Sequence, residues 1–302
     1  MTAAALAILA LVVAFALTPS GRSYLGLGDC RLDTPDAGRA PLVVLRRLAI
    51  DGAGAIAVGS RYAAAQGLPV AFRWDGSDWQ DIPVPVASET ETTGLHDVAA
   101  LRDGAWSSGG DAWAVGSTRA STPFAVSWDG NAWTPILTEG LEGVVAEWFG
   151  VGASPEVGVW SVGRRTADAT DRAIVGRLDG DAFLASDLPA VGARGDVLID
   201  VDLAGGGGWA VGWSVVDGGA RSPLAARLED GAWSVVPTPD AGDAVLSAVA
   251  VVSATSAYAV GWGLDGLGEP SPLVLGWDGV AWRVVAGPRA GGRLLAVAAR
   301  GP

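Results

Sequence analysis

Three carboxylates and an arginine fall at one recurring place in this sequence. Its repeated segments can be aligned on Leu48, Val98, Trp148, Val201, Val249 and Val297. The residue just before each anchor is then Arg47, Asp97, Glu147, Asp200, Ala248 and Ala296, and Asp202 and His96 lie beside this set. Carboxylates gathered in one place can divide into a general acid and a general base when their environments push their pKa values apart, as in glycosidic bond cleavage. Asp97, Glu147 and Asp200 are therefore the catalytic candidates. The competing reading is a solvated rim, its charges paired with neighbouring arginines.

A second set follows a recurring x-Ala-Val-Gly segment: Arg61, Arg119, Arg164, Arg165, Trp213 and Trp262. An exposed indole can stack on a sugar ring or anchor a protein partner, and a buried one can close a contact between repeats. The ligand-binding candidates are thus Arg47, His96, Asp202, Arg61, Arg119, Arg164, Trp213 and Trp262. His96 is the only histidine, which supports no Ser-His-Asp argument, and it reads as a satisfied polar residue. One cysteine, Cys30, rules out an intrachain disulfide, and the Cys and His counts are too low for a zinc site. No segment has calcium-loop spacing, and Gly205 to Gly208 does not join a strand to a helix as a phosphate loop must. No metal and no cofactor are expected. All 20 basic residues are arginine, against 33 acidic ones, and the net charge of −13 argues against binding nucleic acid.

Self-similarity shows what must position these residues. Trp113-Ala114-Val115-Gly116 returns as Trp160-Ser161-Val162-Gly163, Trp209-Ala210-Val211-Gly212 and Tyr258-Ala259-Val260-Gly261, with a weaker copy at Ile56-Ala57-Val58-Gly59. Each is followed by a second segment: Trp74-Asp75-Gly76, Trp128-Asp129-Gly130, Leu178-Asp179-Gly180, Glu229-Asp230-Gly231 and Trp277-Asp278-Gly279. An aromatic comes soon after: Trp79, Trp133, Phe183, Trp233 and Trp282. Each unit holds four short apolar runs bounded by Gly, Asp, Ser and Pro, which reads as four strands. Many runs are apolar on both faces, as in a sheet covered on both sides. Four strands per repeat of about 50 residues is the period of a β-propeller. The fold class is therefore all-β, a propeller of four-stranded antiparallel blades. The units lie near 43–94, 95–144, 145–196, 197–245 and 246–292, with a closing strand at 293–299. Five blades are expected. Residues 19–42 form a linker that can take part in ring closure.

The Asp-Gly-x-x-Trp stretch resembles the Asp-box repeat of sialidase-like propellers, with the Gly directly after the Asp. In that family the box closes an outer hairpin, which implies that Asp75, Asp129, Asp179 and Asp278 serve turns. A sialidase would also need an arginine cluster and a tyrosine nucleophile. Tyr258 sits at the repeat's Trp position and reads as core, which leaves Tyr62. Five-bladed glycosidases that cut arabinan-type polymers use three carboxylates near the channel, an analogy of architecture.

Residues 3–17 are wholly apolar, short for a membrane span and suited to a signal-peptide core ending at Ala14-Phe15-Ala16. Residues 1–18 are read as a signal peptide or anchor, helical in either case, and are the chain's only route to a membrane. The expectation is an exported or surface-tethered propeller. It would bind a carbohydrate or protein partner at its channel mouth. The alternatives are a glycoside hydrolase and a scaffold without a small ligand.

Overall fold

A computed structural model describes residues 42–51, 54–63, 66–86, 93–101, 112–288 and 291–299. The apolar segment 1–18, its expected helix and the linker to residue 41 lie outside the described residues.

Every regular element among the described residues is a strand. The first unit contains β1 (Leu42–Asp51), β2 (Gly54–Ala63), β3 (Gln66–Trp74) and β4 (Trp79–Ile82). The second contains β5 (Thr93–Ala100), β6 (Ala112–Thr118), β7 (Pro123–Trp128) and β8 (Trp133–Glu139). The third contains β9 (Val145–Ser154), β10 (Gly158–Ala167), β11 (Thr170–Asp179) and β12 (Ala182–Asp187). The fourth contains β13 (Gly195–Ala204), β14 (Gly207–Val215), β15 (Arg221–Glu229) and β16 (Ala232–Val236). The fifth contains β17 (Ala244–Ser253), β18 (Ser256–Leu264), β19 (Pro270–Trp277) and β20 (Trp282–Val284). Within each unit, consecutive strands pair antiparallel.

The first strand of each unit is innermost. β1, β5, β9, β13 and β17 pack successively, each on the next. Arg47 of the first unit reaches Asp97 of the second and Asp200 of the fourth, so the inner strands face a common axis. This is the blade arrangement of a propeller. Antiparallel pairing puts the start of each inner strand and the end of the second strand on one face. The hairpins between third and fourth strands lie on the other.

Each inner strand is bulged at one equivalent place. Gly59, Gly116, Gly163, Gly212 and Gly261 pair with Leu45, Leu95, Trp148, Leu198 and Leu246, and the ladder then skips one residue of the inner strand. The skipped residues are Arg46, His96, Phe149, Ile199 and Ser247. The bulge explains the repeat's glycine. A Cβ on Gly116 would stand 1.9 Å from the Gly94 carbonyl oxygen, and one on Gly212 would stand 2.0 Å from that of Val197.

The units stack through aromatics. Trp160 of the third meets Trp233 of the fourth at 5.9 Å between ring centroids, and Trp209 of the fourth meets Trp277 and Trp282 of the fifth at 4.7 Å each. Trp113 shares a buried cluster with Phe183, and Ile56 shares one with Trp128 and Trp133. So in the first four units the side chain at the head of the x-Ala-Val-Gly segment packs on the outer hairpin of the following unit. In the hairpins of the first, second and fifth units the Asp acts as the turn residue expected, whereas Asp179 is the last paired residue of β11, opposite Ala182. Asp129 Oδ1 accepts the Asn131 and Ala132 N–H groups at 2.8 Å, and Asp278 Oδ1 accepts those of Val280 and Ala281 at 2.9 and 2.8 Å.

Two expectations need correction. Residues 293–299 carry no strand pairing, although a closing strand was expected there. Tyr258, expected in the core, is 42 % exposed, because among the described residues no outer hairpin of another unit lies against it as one does against Trp209.

Candidate functional site

The register separates the candidate carboxylates into two groups. Arg47, Asp97 and Asp200 occupy equivalent positions just after the bulge, opposite Val58, Val115 and Val211. In the third unit that position belongs to Gly150, not Glu147. Trp148 fills the place of Leu95 and Leu198 before the bulge, so aligning it with Val98 misplaces the unit by three residues. A Cβ on Gly150 would lie 2.9 Å from the Ile199 carbonyl oxygen, and glycine lets the third and fourth inner strands approach closely there.

Asp97 and Asp200 are buried and engaged. Asp97 Oδ2 accepts the Val151 N–H at 2.8 Å, and Asp200 Oδ2 accepts the Val249 N–H at 2.8 Å. Asp202 Oδ2 accepts the Val251 N–H at 2.7 Å. Each carboxylate therefore clips its own inner strand to that of the next unit. The other oxygens of Asp97 and Asp200 face the Arg47 guanidinium at 3.5 and 3.7 Å. Burial raises the Asp97 carboxyl to about 6, against the pull of Arg47. Burial and then the Asp97 charge raise Asp200 to about 7. His96, a bulge residue, places Nδ1 2.9 Å from the Trp148 carbonyl oxygen, so Nδ1 carries the donated proton. Its ring stacks on Phe149 at 5.7 Å, and burial lowers its pKa.

Nearer the rim, Glu147 pairs with Arg164 in register. The Arg164 Nη2 lies 2.7 Å from Glu147 Oε2, and its Nη1 lies 2.7 Å from Asp171 Oδ2. The residues equivalent to Arg164 after the repeat's Gly are Ser60, Ser117, Trp213 and Trp262. Arg61 and Arg165 sit one residue further and pair with Asp81 and Asp187 of outer strands, away from the axis. Arg119 is exposed in the turn after β6. Trp262 is buried between two guanidinium groups, Arg293 at 4.1 Å and Arg221 at 4.7 Å from its ring centroid. It is a packing contact, whereas Trp213 lines a cavity.

That cavity, of about 300 Å³, opens between the third and fourth units. Trp213 and Phe149 supply its aromatic walls, and Arg164, Asp171 and Arg194 supply charge. Arg194 is exposed and forms no ion pair with a described residue. Asp171 Oδ1 accepts from Thr166 Oγ1 at 2.8 Å, which leaves each carboxylate oxygen a further lone pair. A ring face against the indole, with hydroxyls toward Asp171 and the arginines, fits this lining. Sequence reasoning found Trp213 and Arg164 and missed Phe149, Asp171 and Arg194. Phe149 had a signal: it is the bulge residue equivalent to His96. A larger cavity of about 600 Å³ lies beside β8, lined mainly by apolar groups such as Phe124, Ile136 and Leu137. Among the described residues no group of three His, Cys, Asp or Glu side chains is set to hold a metal ion.

No protein-family model matches the chain, and no curated protein sequence matches it. In fold it is similar to several solved propeller structures. YCF48 bound to D1 peptide is 13 % identical, with a TM-score of 0.45 over 80 % of this chain and 66 % of that one, just under two thirds. Aleuria aurantia lectin, in complex with an α-methyl-L-fucoside, is 10 % identical with a TM-score of 0.46 over 84 % and 78 %. Trypanosoma rangeli sialidase is 13 % identical with a TM-score of 0.38 over 82 % and 36 %. These likenesses are of architecture, and no functional residue carries over from them.

Proposed function

We propose that the chain is an exported propeller that binds a carbohydrate in the cavity between its third and fourth units. The observation that carries this reading is the convergence of Trp213 and Phe149 with Arg164, Asp171 and Arg194 on one opening, on the face where the inner strands begin. An aromatic face with a few placed polar groups is the usual make-up of a small-ligand site. Export rests on the apolar run at residues 3–17.

Hydrolysis finds less support. Glycosidases need two carboxyl groups facing the bond across an open space. Asp97 and Asp200 are instead buried, each holding a neighbouring strand's amide and facing Arg47, while Glu147 is held by Arg164.

The test is a glycan array followed by titration of any glycan retained. Trp213→Ala and Arg194→Ala should each weaken binding at least about tenfold, roughly 1.4 kcal/mol, with the melting temperature nearly unchanged. Trp262→Ala, at the equivalent place one unit on, should leave affinity intact while lowering stability. Retention that is insensitive to Trp213→Ala would place the ligand elsewhere.

A further inference from the structure

The connector that carries Arg194 is held by a carboxylate that the other units lack. Two residues before the one paired with the repeat's Gly, the inner strands carry Val43, Thr93, Ala146, Asp196 and Ala244. The fourth unit alone has an acid there. Asp196 is buried, and both of its oxygens are spent on the connector ahead of β13. Oδ2 accepts the Val191 N–H at 2.9 Å, and Oδ1 accepts the Gly192 N–H at 2.8 Å. The Arg194 N–H donates to the Val215 carbonyl at 3.0 Å. A Cβ on Gly192 would stand 2.7 Å from the carbonyl oxygens of Gly195 and Val215, so the connector lies tight against the end of β14. Burying a carboxylate is costly unless its hydrogen bonds are made, and here they fix a surface connector in place.

The Arg194 side chain lines the cavity and pairs with no acid among the described residues, in a chain with 33 acids and 20 arginines. Asp171 is close by, since it pairs in register with Gly195. Its carboxylate is committed to β10 instead: Oδ2 takes Arg164 Nη1 at 2.7 Å, and Oδ1 takes Thr166 Oγ1 at 2.8 Å. Arg164 is also held by Glu147 at 2.7 Å. The lining therefore offers one unpaired cation and, apart from it, a carboxylate that can only accept hydrogen bonds. A ligand anion is drawn to the first and repelled by the second, and a hydroxyl suits the second. We propose that the cavity takes a hexuronic acid, a sugar whose ring carries both a carboxylate and hydroxyls. The carboxylate sits on Arg194, hydroxyls donate to Asp171, and a ring face lies on Trp213. Asp196 is a positioning residue that holds Arg194 at the cavity. This inference rests on the carbohydrate reading above and names its ligand class.

The test is titration of the full chain with oligomers of galacturonate, glucuronate and mannuronate, each beside its carboxyl-reduced neutral counterpart. At least one acidic oligomer should bind tighter than its counterpart by about tenfold or more, the worth of a charge-assisted hydrogen bond. Arg194→Ala should bring that ratio to about one, and Arg194→Lys should keep it above one. Asp196→Ala should lower the ratio and leave the neutral oligomer's affinity unchanged. Equal loss of both affinities would make Asp196 merely structural and overturn its positioning role. Equal binding of acidic and neutral oligomers, both lost in Trp213→Ala, would overturn the hexuronic acid and leave the carbohydrate reading standing. So would an acid preference that survives Arg194→Ala, or tighter binding of a sulfated neutral-sugar oligomer than of any uronate. Binding of none of these, with no glycan retained on the array, would overturn both.

Discussion

The repeat's glycine shows how much a single hydrogen atom can decide. Gly59, Gly116, Gly163, Gly212 and Gly261 sit where the inner-strand bulge pushes a carbonyl oxygen against the second strand. A methyl group there meets backbone rather than a flexible side chain, so neither partner can yield without reshaping the bulge. Gly212→Ala places a Cβ 2.0 Å from the Val197 oxygen. It should destabilise the protein by about 3 kcal/mol or more, the upper end for overpacking, read as a lowered urea midpoint. Gly206 is the control: nothing lies within 4 Å of its Cβ position, and Gly206→Ala should change stability by no more than about 0.5 kcal/mol. Equal effects at both sites would mean that the bulge relaxes freely.

At the scale of elements, the outer hairpin and the second strand of the preceding unit form the unit-to-unit contact. Trp209 lies within 4.7 Å of both Trp277 and Trp282, and all three are buried. Trp209→Ala should cost about 3–5 kcal/mol, the range for a core aromatic. A cost below about 1 kcal/mol would mean that the fourth and fifth units do not stack in solution. The four-strand period, the turn aspartates and the face shared by strand starts and ends were legible, because each is written in turn residues and aromatics at fixed spacing. The third unit's register was not. Its inner strand is apolar on both sides, so Trp148 matched Val98 as readily as Leu95. A bulge then changes which residues share a face without leaving a mark in hydrophobicity. Glu147 was grouped with Asp97 and Asp200 for that reason. The cavity's missed residues come from places outside the repeat pattern: Asp171 from the start of β11 and Arg194 from a connector. Tyr258 reads as core by homology with Trp209, and only its neighbours' positions show that the described residues leave it uncovered.

The whole molecule carries two opposed sets of carboxylates, and together they set its pH dependence. Burial raises Asp97 to about 6 and Asp200 to about 7, with Arg47 and Asp202 as the charges facing them. Unfolded, both would titrate near the ordinary value of about 3.9. Between pH 4 and 7 the folded chain therefore binds more protons than the unfolded one. Their contribution is complete below about pH 4 and is lost as pH rises through 6 and 7. The turn aspartates run the other way. Backbone N–H donors hold Asp75 and Asp129 below the usual range, and the Arg283 side chain, then backbone donors, hold Asp278 there. Their contribution is present above about pH 4 and lost as pH falls further. A net charge of −13 at neutral pH adds self-repulsion that protonation relieves. All three effects place maximum stability on the acid side, near pH 4 to 5. The melting temperature should be higher at pH 5 than at pH 8. Asp200→Asn keeps an acceptor for the Val249 N–H and cannot ionise, so it should raise the melting temperature at pH 8 and narrow the gap to pH 5. A melting temperature that climbs from pH 5 to pH 8, or a gap unchanged by Asp200→Asn, would show that the buried carboxylates stay ionised beside Arg47.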